Sequence, residues 1–273
     1  MEFGFIHPTA VIHPSARLSA QVRVGPHAVI DADVELGEGC EVGPQVYLTG
    51  HTSIGPGNRF HAGCVIGDTP QDFKYREAPT RLEIGARNIF REHVTVHRSN
   101  RLDEATVIGD GNFFMAGSHI GHNCRVGRDN IFANGALLGG HVEVDRQAFI
   151  SGNCLVHQFC RIGRLSLMQG GSAISKDLPP FCIARGDNHI CGLNTIGLRR
   201  AGVASADRLV LRRAYRSVFR SGQRLKVAAE QLALDFPDHG LVAEWTQFIR
   251  ATKRGLCADI LFRDGEPQST EEA

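Results

Sequence analysis

The stretch TVIGDGNFFMAGSHIGHNCRVGRDNIFANGALLGGHVEV (residues 106–144) carries a large apolar residue at every sixth position. These positions hold Ile108, Phe114, Ile120, Val126, Phe132, Leu138 and Val144. An α-helix repeats near 3.6 residues and a half-buried strand near 2, so neither element accounts for a period of six. Repetition of this kind predicts a chain wound through short, equivalent turns, with the sixth residues facing a shared interior.

The same period extends in both directions, from Ile6 to Ile174. Of the 29 sixth positions in that range, only Asp72 and Ala78 lack a large apolar side chain. Glycine often follows the apolar residue, and we expect it there because it tolerates backbone angles that a repeated corner requires. Small residues often precede the apolar residue by two positions. Five of the eight cysteines occupy that place and are predicted to be reduced, buried fillers, since the chain has no CxxC pair: Cys40, Cys64, Cys124, Cys154 and Cys160.

Two polar stretches interrupt the repeat, at residues 68–82 and 98–106. We expect both to project as loops, and loops on a rigid scaffold often carry function. The period ends at a Pro-Pro pair, so a repeat domain is predicted for residues 1–178 and a helical domain for residues 179–255. The remaining residues, 256–273, are predicted to form a flexible tail.

Within the second domain, caps and hydrophobic spacing predict four helices. Ser205 and Asp238 are the predicted N-caps of the second and fourth. Residues 181–194, which precede the helices, show no periodic pattern and are predicted to be irregular. The four predicted helices are 195–201, 206–220, 224–235 and 239–253.

Charge and hydropathy limit the partners and the compartment. No apolar run reaches the roughly 18–20 residues of a membrane span, and residues 1–7 carry no basic, apolar signal segment. We therefore expect a cytoplasmic protein without an integral membrane segment. Residues 196–255 hold twelve lysines and arginines against five acidic residues, which favours an acidic protein partner. With a formal charge of +1, nothing indicates nucleic acid.

Four histidines, at positions 119, 122, 141 and 157, lie on consecutive predicted coils. In a coil of eighteen residues, His122, Gly140 and Gln158 would stack about 4.8 Å apart. A neutral histidine offers a lone pair for general base catalysis, and a glycine offers an unobstructed backbone N–H to an oxyanion. No serine or cysteine lies in a nucleophile elbow, so direct transfer is favoured over a covalent intermediate.

Several motifs resemble one family. The runs MAGSHIGHNC (115–124), LLGGHVEV (137–144), LVHQFCRIG (155–163), GDTPQDFKY (67–75), TVHRS (95–99) and NTIGLRRAG (194–202) are similar to the UDP-N-acetylglucosamine 3-O-acyltransferases that open lipid A biosynthesis. The resemblance covers residues 1 to about 255. It implies an all-β left-handed parallel β-helix of hexapeptide repeats, followed by a small helical domain, and a homotrimer with its active site between subunits.

The resemblance also implies an activity. An (R)-3-hydroxyacyl group would pass from acyl carrier protein to the 3-hydroxyl of the UDP-sugar, with no metal and no cofactor beyond the phosphopantetheine of the carrier. His122 would be the general base and Gly140 the oxyanion donor. Gly170 would limit the length of the acyl chain. The residues implied to bind substrate are Gln71, Asp72, Lys74, His119, His141, His157, Gln158, Asn194 and Arg200, and His97 matches a family histidine of less defined role.

Asn123 departs from the family, which usually carries Asp after the catalytic histidine. A carboxylate stabilises the imidazolium that forms as the base takes its proton, whereas a neutral amide does so less. An Asn123→Asp change is therefore expected to be accepted. The departure also leaves open an acceptor amine on a different UDP-sugar, which would give an amide.

A second alternative is a different class of enzyme. Histidines on neighbouring coils resemble the zinc ligands of γ-type carbonic anhydrases, which are also trimeric β-helices. Such an enzyme has no use for the QDFKY loop, the HQF run or the basic helical domain. A scaffold without catalytic activity is disfavoured by the ordered edge of His, Gln and Gly residues.

Overall fold

The sixth-residue apolar side chains point into the interior of a coil and stack on their equivalents above and below. In the computed structural model, which describes residues 4–260, 262–263 and 266–267, the chain winds as a left-handed parallel β-helix with three sheets. Leu137 pairs with Leu155, a separation of eighteen residues, so each coil takes three hexapeptides. The predicted fold class is confirmed.

The first sheet contains twelve strands. They are β1 (Phe5–Ile6), β4 (Arg23–Val24), β7 (Glu41–Val42), β10 (Arg59–Phe60), β13 (Ile89–Phe90), β16 (Phe113–Phe114), β19 (Ile131–Phe132), β22 (Phe149–Ile150), β25 (Leu167–Met168), β27 (Cys182–Arg185), β28 (His189–Leu193) and β29 (Ala258–Asp259).

The second sheet contains nine strands and the third contains eight. The second holds β2 (Val11–Ile12), β5 (Val29–Ile30), β8 (Tyr47–Leu48), β11 (Val65–Asp68), β14 (Thr95–His97), β17 (His119–Ile120), β20 (Leu137–Leu138), β23 (Leu155–Val156) and β26 (Ala173–Ile174). The third holds β3 (Arg17–Leu18), β6 (Val34–Leu36), β9 (His51–Ile54), β12 (Arg81–Ile84), β15 (Ala105–Ile108), β18 (Arg125–Val126), β21 (Glu143–Val144) and β24 (Arg161–Ile162). A separate hairpin joins β30 (Phe262–Arg263) and β31 (Glu266–Pro267).

Both polar stretches insert residues in multiples of six, which is why the period survives them. Ile54 pairs with Ile84 and Ile84 pairs with Ile108, so the two coils gain twelve and six residues over the usual eighteen. The inserted segments are loop 1 (residues 69–80) and loop 2 (residues 98–104). Leu102 keeps the sixth-residue spacing but lies in loop 2 and is 62% exposed, as expected for a residue of the second polar stretch.

Glycine follows the inward residue for a steric reason, not for the unusual backbone angles that were expected. Gly37 and Gly121 do not have positive φ angles. A Cβ at these positions would lie 2.6 Å and 2.8 Å from the backbone of the next coil. Close packing of coils therefore requires glycine here, and the left-handed conformation falls two residues later, at Asn123 and His141 among others.

Between those two corner positions lies a residue whose backbone N–H takes no part in the hydrogen bonds between coils. Proline, which lacks this donor, is therefore tolerated at this position, and it occurs there in the early coils as Pro8, Pro14, Pro26, Pro44 and Pro56. His122 and Gly140 occupy the same position on later coils.

Two ladders hold the coils together internally. The rings of Phe60, Phe90, Phe114 and Phe132 stack with centroids 4.8 Å apart. A buried amide ladder runs through Asn58, Asn88, Asn112 and Asn130, each Oδ1 accepting from the backbone of a following coil. The five cysteines predicted to be buried fillers are all buried, and this prediction is confirmed.

The segment predicted to be irregular forms two strands instead. Ile183 pairs with Leu167 in parallel, and the chain then returns antiparallel from Arg185 to His189. This hairpin extends the first sheet after the hexapeptide pattern has ended. Two strands pair here without the six-residue period because they lie at the end of the helix, where no further coil has to stack.

Four α-helices follow the hairpin: α1 (Thr195–Arg200), α2 (Ser205–Phe219), α3 (Leu225–Asp235) and α4 (Gly240–Arg250). Ala204 and His239 occupy the N-cap positions of α2 and α4, so Ser205 and Asp238 are not the caps as predicted. The bidentate pair of Arg164 and Glu244 ties α4 to the coils.

The predicted flexible tail is wrong for its first five residues. Leu256 and Cys257 are buried, and Ala258–Asp259 pairs with the first sheet. Asp259 accepts hydrogen bonds from Tyr215 of α2 and from Arg220, the C-cap of that helix, which anchors this segment. The rest of that prediction falls largely outside the described residues. Among the helices described, none is long and apolar enough to cross a membrane.

The three outer faces of the β-helix differ in character. The later coils of the first sheet present an apolar row of Ile89, Phe113, Ile131, Phe149 and Leu167. The second sheet presents Val65, Thr95, His119, Leu137, Leu155 and Ala173. The third sheet is charged, with Arg17, Glu35, Glu83, Arg125, Glu143 and Arg161 facing outward.

Candidate active site

A groove of about 770 Å³ runs along the outer face of the second sheet. One end is polar and lies at the corner after β17, where the catalytic residues were predicted. The other end is reached across the apolar side chains of Leu137, Leu155 and Ala173. The predicted site residues that line it are Gln71, His97, His119, His122, Gly140, His157 and Gln158.

His122 and Gly140 face each other across one coil spacing. A Cβ built on Gly140 would lie 2.6 Å from both Cε1 and Nε2 of the His122 ring. Only glycine therefore leaves room for this imidazole above the backbone. Within the described part of the chain the Gly140 N–H donates to no acceptor, so it is available to a ligand next to His122 Nε2.

The His122 ring is held through its other nitrogen. Nδ1 lies 2.9 Å from the Oδ1 atom of Asn123, an oxygen that also accepts from the Asn100 N–H at 3.0 Å. An acceptor at Nδ1 places the proton on that nitrogen and leaves the Nε2 lone pair free. The arrangement is that of a general base pointed at the groove, with a hydrogen-bond donor beside it.

The neighbouring histidines are kept neutral by burial. Desolvation lowers the pKa of His119 to about 4, with His97 and His122 adding to the effect. Burial likewise lowers the pKa values of His97 and His141. Neutral imidazoles can both donate and accept hydrogen bonds, so these side chains suit the hydroxyl and amide groups of a sugar.

Pairwise ring contacts fix the positions of these histidines. His97 packs edge-on against His119 at 5.0 Å, and His119 Nδ1 lies 2.7 Å from Thr95 Oγ1. His141 packs edge-on against His122 at 5.1 Å and stacks on Phe159 at 4.7 Å. His141 therefore supports the His122 ring from the side and does not line the groove itself.

Loop 2 carries loop 1 into position beside the histidines. Asn100 donates to the Asp72 carboxylate at 2.9 Å, and the Lys74 N–H donates to the same group at 2.9 Å. These two donors lower the pKa of Asp72. The buried Arg98 guanidinium reaches the Gly67 carbonyl at 2.9 Å at the base of loop 1. Gln71 thereby enters the groove, while Lys74 stays exposed.

Asn194, Arg200 and Gly170 lie outside this groove. Asn194 is buried as the N-cap of α1, accepting from Gly197 N–H and donating to the Leu165 carbonyl, each at 2.9 Å. Both of its side-chain polar atoms are thus engaged within the protein. Arg200 is exposed at the end of α1, and Gly170 is exposed at the corner that leads into β26.

The sequence analysis missed Glu104, Ser99 and the groove residues Asp187 and Asn188. Glu104 and Ser99 both contact the Asn123 side chain, and Asp187 and Asn188 line the far end of the groove. Loop and hairpin residues have no periodic register from which their neighbours can be inferred. Among the residues that the structure describes, no three His, Cys, Asp or Glu side chains lie close enough together to hold a metal ion.

Comparisons with known proteins agree with this fold. The family model described as UDP N-acetylglucosamine O-acyltransferase, domain 2, matches residues 177–257. The model for bacterial transferase hexapeptides, six repeats, matches residues 33–68 and 105–140.

Two curated relatives match over nearly their whole length. The chain is 41% identical over 253 residues to the acyl-[acyl-carrier-protein]–UDP-N-acetylglucosamine O-acyltransferase of Anaeromyxobacter sp. (strain Fw109-5), covering 92% of this chain and 98% of the relative. It is 40% identical to the protein of that name from Thermodesulfovibrio yellowstonii, with the same coverage. The crystal structure of a Francisella novicida UDP-N-acetylglucosamine acyltransferase is 32% identical and superposes with a TM-score of 0.91, over 94% of this chain and 95% of that one.

Proposed function

Since this chain belongs to the UDP-N-acetylglucosamine O-acyltransferase family, we propose that its histidine groove is the site where an acyl group passes from acyl carrier protein to the sugar 3-hydroxyl. The chain is the enzyme that begins lipid A biosynthesis. Its assignment to a γ-type carbonic anhydrase is not supported by these relatives.

One observation carries the catalytic proposal. His122 Nε2 and the unused Gly140 N–H lie side by side at the polar end of a groove whose remaining length is apolar. A base next to an oxyanion donor suits attack on a thioester. The apolar part of the groove suits the acyl chain that the thioester carries.

The reaction proceeds by direct transfer. His122 Nε2 removes the proton from the sugar 3-hydroxyl as its oxygen attacks the thioester carbonyl, and the Gly140 N–H stabilises the resulting oxyanion. The tetrahedral intermediate then collapses and breaks the carbon–sulfur bond. The phosphopantetheine thiolate leaves and takes the proton from the imidazolium, so His122 is neutral again and an ester has formed.

Neutral His119 and His97 line the groove together with His157 and the amides of Gln71 and Gln158, and we assign these groups to the sugar and acyl polar groups. Asp72 and Lys74 extend from loop 1 next to them. Arg200 is the exposed cation proposed for the diphosphate, because a guanidinium matches phosphate geometry. Asn194 supports the start of α1, the helix that ends at Arg200.

We expect His122→Ala to lower kcat by about 100-fold or more, because a positioned general base contributes on that order. Gly140→Ala should also lower kcat strongly, since its methyl group would occupy the space of the His122 ring. Gly152→Ala is the matched control: it holds the equivalent corner position, and its Cβ would meet only a carbonyl at 3.4 Å. Normal turnover of a folded His122→Ala protein would contradict the mechanism.

The assembly proposed is a homotrimer. The outer faces of the first and second sheets are apolar in the later coils, and the third is charged. A heterologous contact between the first and second faces closes on itself in a three-fold ring and leaves the charged face to solvent. The groove lies on the second face, so the first face of a neighbour would cover it.

Ile131→Glu together with Phe149→Glu should dissociate the trimer, because both changes place charge on the apolar first face. Val107→Glu, on the outer face of the third sheet, is the control and should leave the assembly intact. Light scattering at micromolar concentration is expected to give three times the mass of one chain for the wild type and the control. A monomeric wild type would refute the proposed assembly.

The docking site proposed for acyl carrier protein is the basic surface of α2. Arg220 is engaged with Asp259, and Arg208 donates to the Val203 carbonyl. The exposed arginines of this helix without an ion pair in the described chain are Arg212, Arg213 and Arg216. They remain available to the acidic surface of a carrier.

Reversing two of these charges, as Arg212→Glu with Arg216→Glu, should raise KM for the carrier substrate and spare KM for the UDP-sugar. The effect should shrink as salt rises, because exposed charges are screened within about 8 Å at physiological ionic strength. Arg17→Glu with Arg125→Glu on the charged third face provides the charge-matched control. If the KM values for the carrier substrate and for the UDP-sugar change equally, the basic surface of α2 is not the docking site for the carrier.

Gly170 is the proposed limit on acyl length. The groove ends at Ala173 and Ile174, and Gly170 lies at the corner leading into that strand. A Cβ at Gly170 would meet only the Gly152 carbonyl, at 3.6 Å. A larger side chain is therefore accepted by the backbone, and we propose that it shortens the path open to the donor.

Gly170→Met should shift preference to shorter donors. Each buried methylene contributes about 0.8 kcal/mol, so losing room for four changes relative kcat/KM by about two orders of magnitude. Ala116→Met, at the same corner of an earlier coil, should not alter the preference. The measurement is kcat/KM over donors of several lengths, and an active Gly170→Met enzyme with unchanged preference would exclude Gly170 as the limit.

A further inference from the structure

The partners of Asn123 leave its amide a single orientation. Nδ2 lies 2.8 Å from Ser99 Oγ and 2.8 Å from Glu104 Oε2. A carboxylate can only accept, and the Ser99 hydroxyl already donates to the Arg101 carbonyl. Both neighbours therefore require a donor, which identifies this atom as the amide nitrogen. The oxygen, Oδ1, must then face His122.

This orientation sets the tautomer of His122. Because Oδ1 is an acceptor 2.9 Å from Nδ1, Nδ1 carries the proton and Nε2 keeps its lone pair. Asn123 itself is rigid: it is 6% exposed, it has a φ of 58°, and its N–H donates to Thr106 Oγ1 at 2.7 Å.

We propose that Glu104 and Asn123 act as one positioning unit for His122, in which Asn123 fixes the ring and Glu104 supplies the negative charge. The inference rests on the proposed role of His122 as general base. The resembled family places a carboxylate directly after that histidine. Here the amide stands in that position and the carboxylate lies one hydrogen bond further away, in loop 2.

Glu104 acts on the ring through the polarisation of the amide. A charged acceptor at Nδ2 draws the donor proton and makes Oδ1 a stronger acceptor for the imidazolium. Arg101 holds the other Glu104 oxygen at 3.1 Å, and the Glu104 side chain is 32% exposed. The remaining titratable groups that act on or beside His122 are Asp72, His97, His119 and His141.

This contact corrects the expectation that Asn123→Asp is simply accepted. Asp at 123 would remove both amide donors and set two carboxylates in contact. Adding Glu104→Gln should repair the defect, because the glutamine amide can donate to the new carboxylate. The charge would then sit directly beside the ring. The pair of variants exchanges the two groups without changing the size of either side chain appreciably.

We expect Glu104→Gln to lower kcat about 3- to 10-fold and Asn123→Asp to lower it about 10-fold or more, with KM for both substrates little changed. The double variant should return to within about 3-fold of wild type. Glu143→Gln, on the charged third face, is the matched control and should retain wild-type kcat. A double variant no faster than Asn123→Asp, or a Glu104→Gln enzyme equal to wild type, overturns the proposal.

Nitrogen NMR of the His122 ring supplies a readout independent of turnover. The wild type and the double variant should show a protonated Nδ1 and an unprotonated Nε2. Glu104→Gln should shift the Nδ1 signal to the value of a weaker hydrogen bond, and an unchanged Nδ1 signal would contradict the proposal. If Asn123→Asp does not fold, the Glu104→Gln spectrum alone tests the proposed role of Glu104. Normal turnover of His122→Ala would instead remove the proposed function, while the ring signals would still report on Glu104.

Discussion

The vertical stacking of one coil on the next is the constraint on which the rest of this protein depends. Equivalent residues lie about 4.8 Å apart, as the stacked phenylalanine rings show directly. The same spacing places the imidazole of His122 over the backbone of Gly140, where any side chain would collide with it. The geometry of the proposed catalytic pair is thus a direct consequence of how the scaffold repeats.

Stacking also explains which parts of the structure could be predicted. The six-residue period identified the coils, the buried cysteines and the ladder of His122, Gly140 and Gln158, because position in the period determines position in space. Leu102 falls on the period without entering the core, because an insertion of six residues preserves the period without preserving the coil. Strands form at residues 182–185, 189–193 and 258–259 by pairing at the end of the helix, and no local sequence pattern predicts them.

The contacts made by Asn123 could not be predicted from the sequence, because its partners lie outside the repeat. Glu104 and Ser99 lie in a loop, and their approach to Asn123 depends on how that loop folds. The sequence alone shows a neutral residue, Asn123, where the family has a charged one, and this predicts that His122 is a weaker base or that the acceptor differs. The structure places a carboxylate within hydrogen-bonding distance of the Asn123 amide, so the local charge is retained and acylation of a hydroxyl remains chemically suited to this site.

Product analysis tests the central claim most directly. The wild-type enzyme is incubated with a 3-hydroxyacyl carrier protein and either UDP-N-acetylglucosamine or its 3-amino analogue. The masses of the products are then measured by mass spectrometry before and after treatment with mild base. The account predicts an acylated UDP-N-acetylglucosamine whose acyl group is released by base, as an ester requires. Acylation of the amino analogue alone, to a base-stable amide, would contradict it.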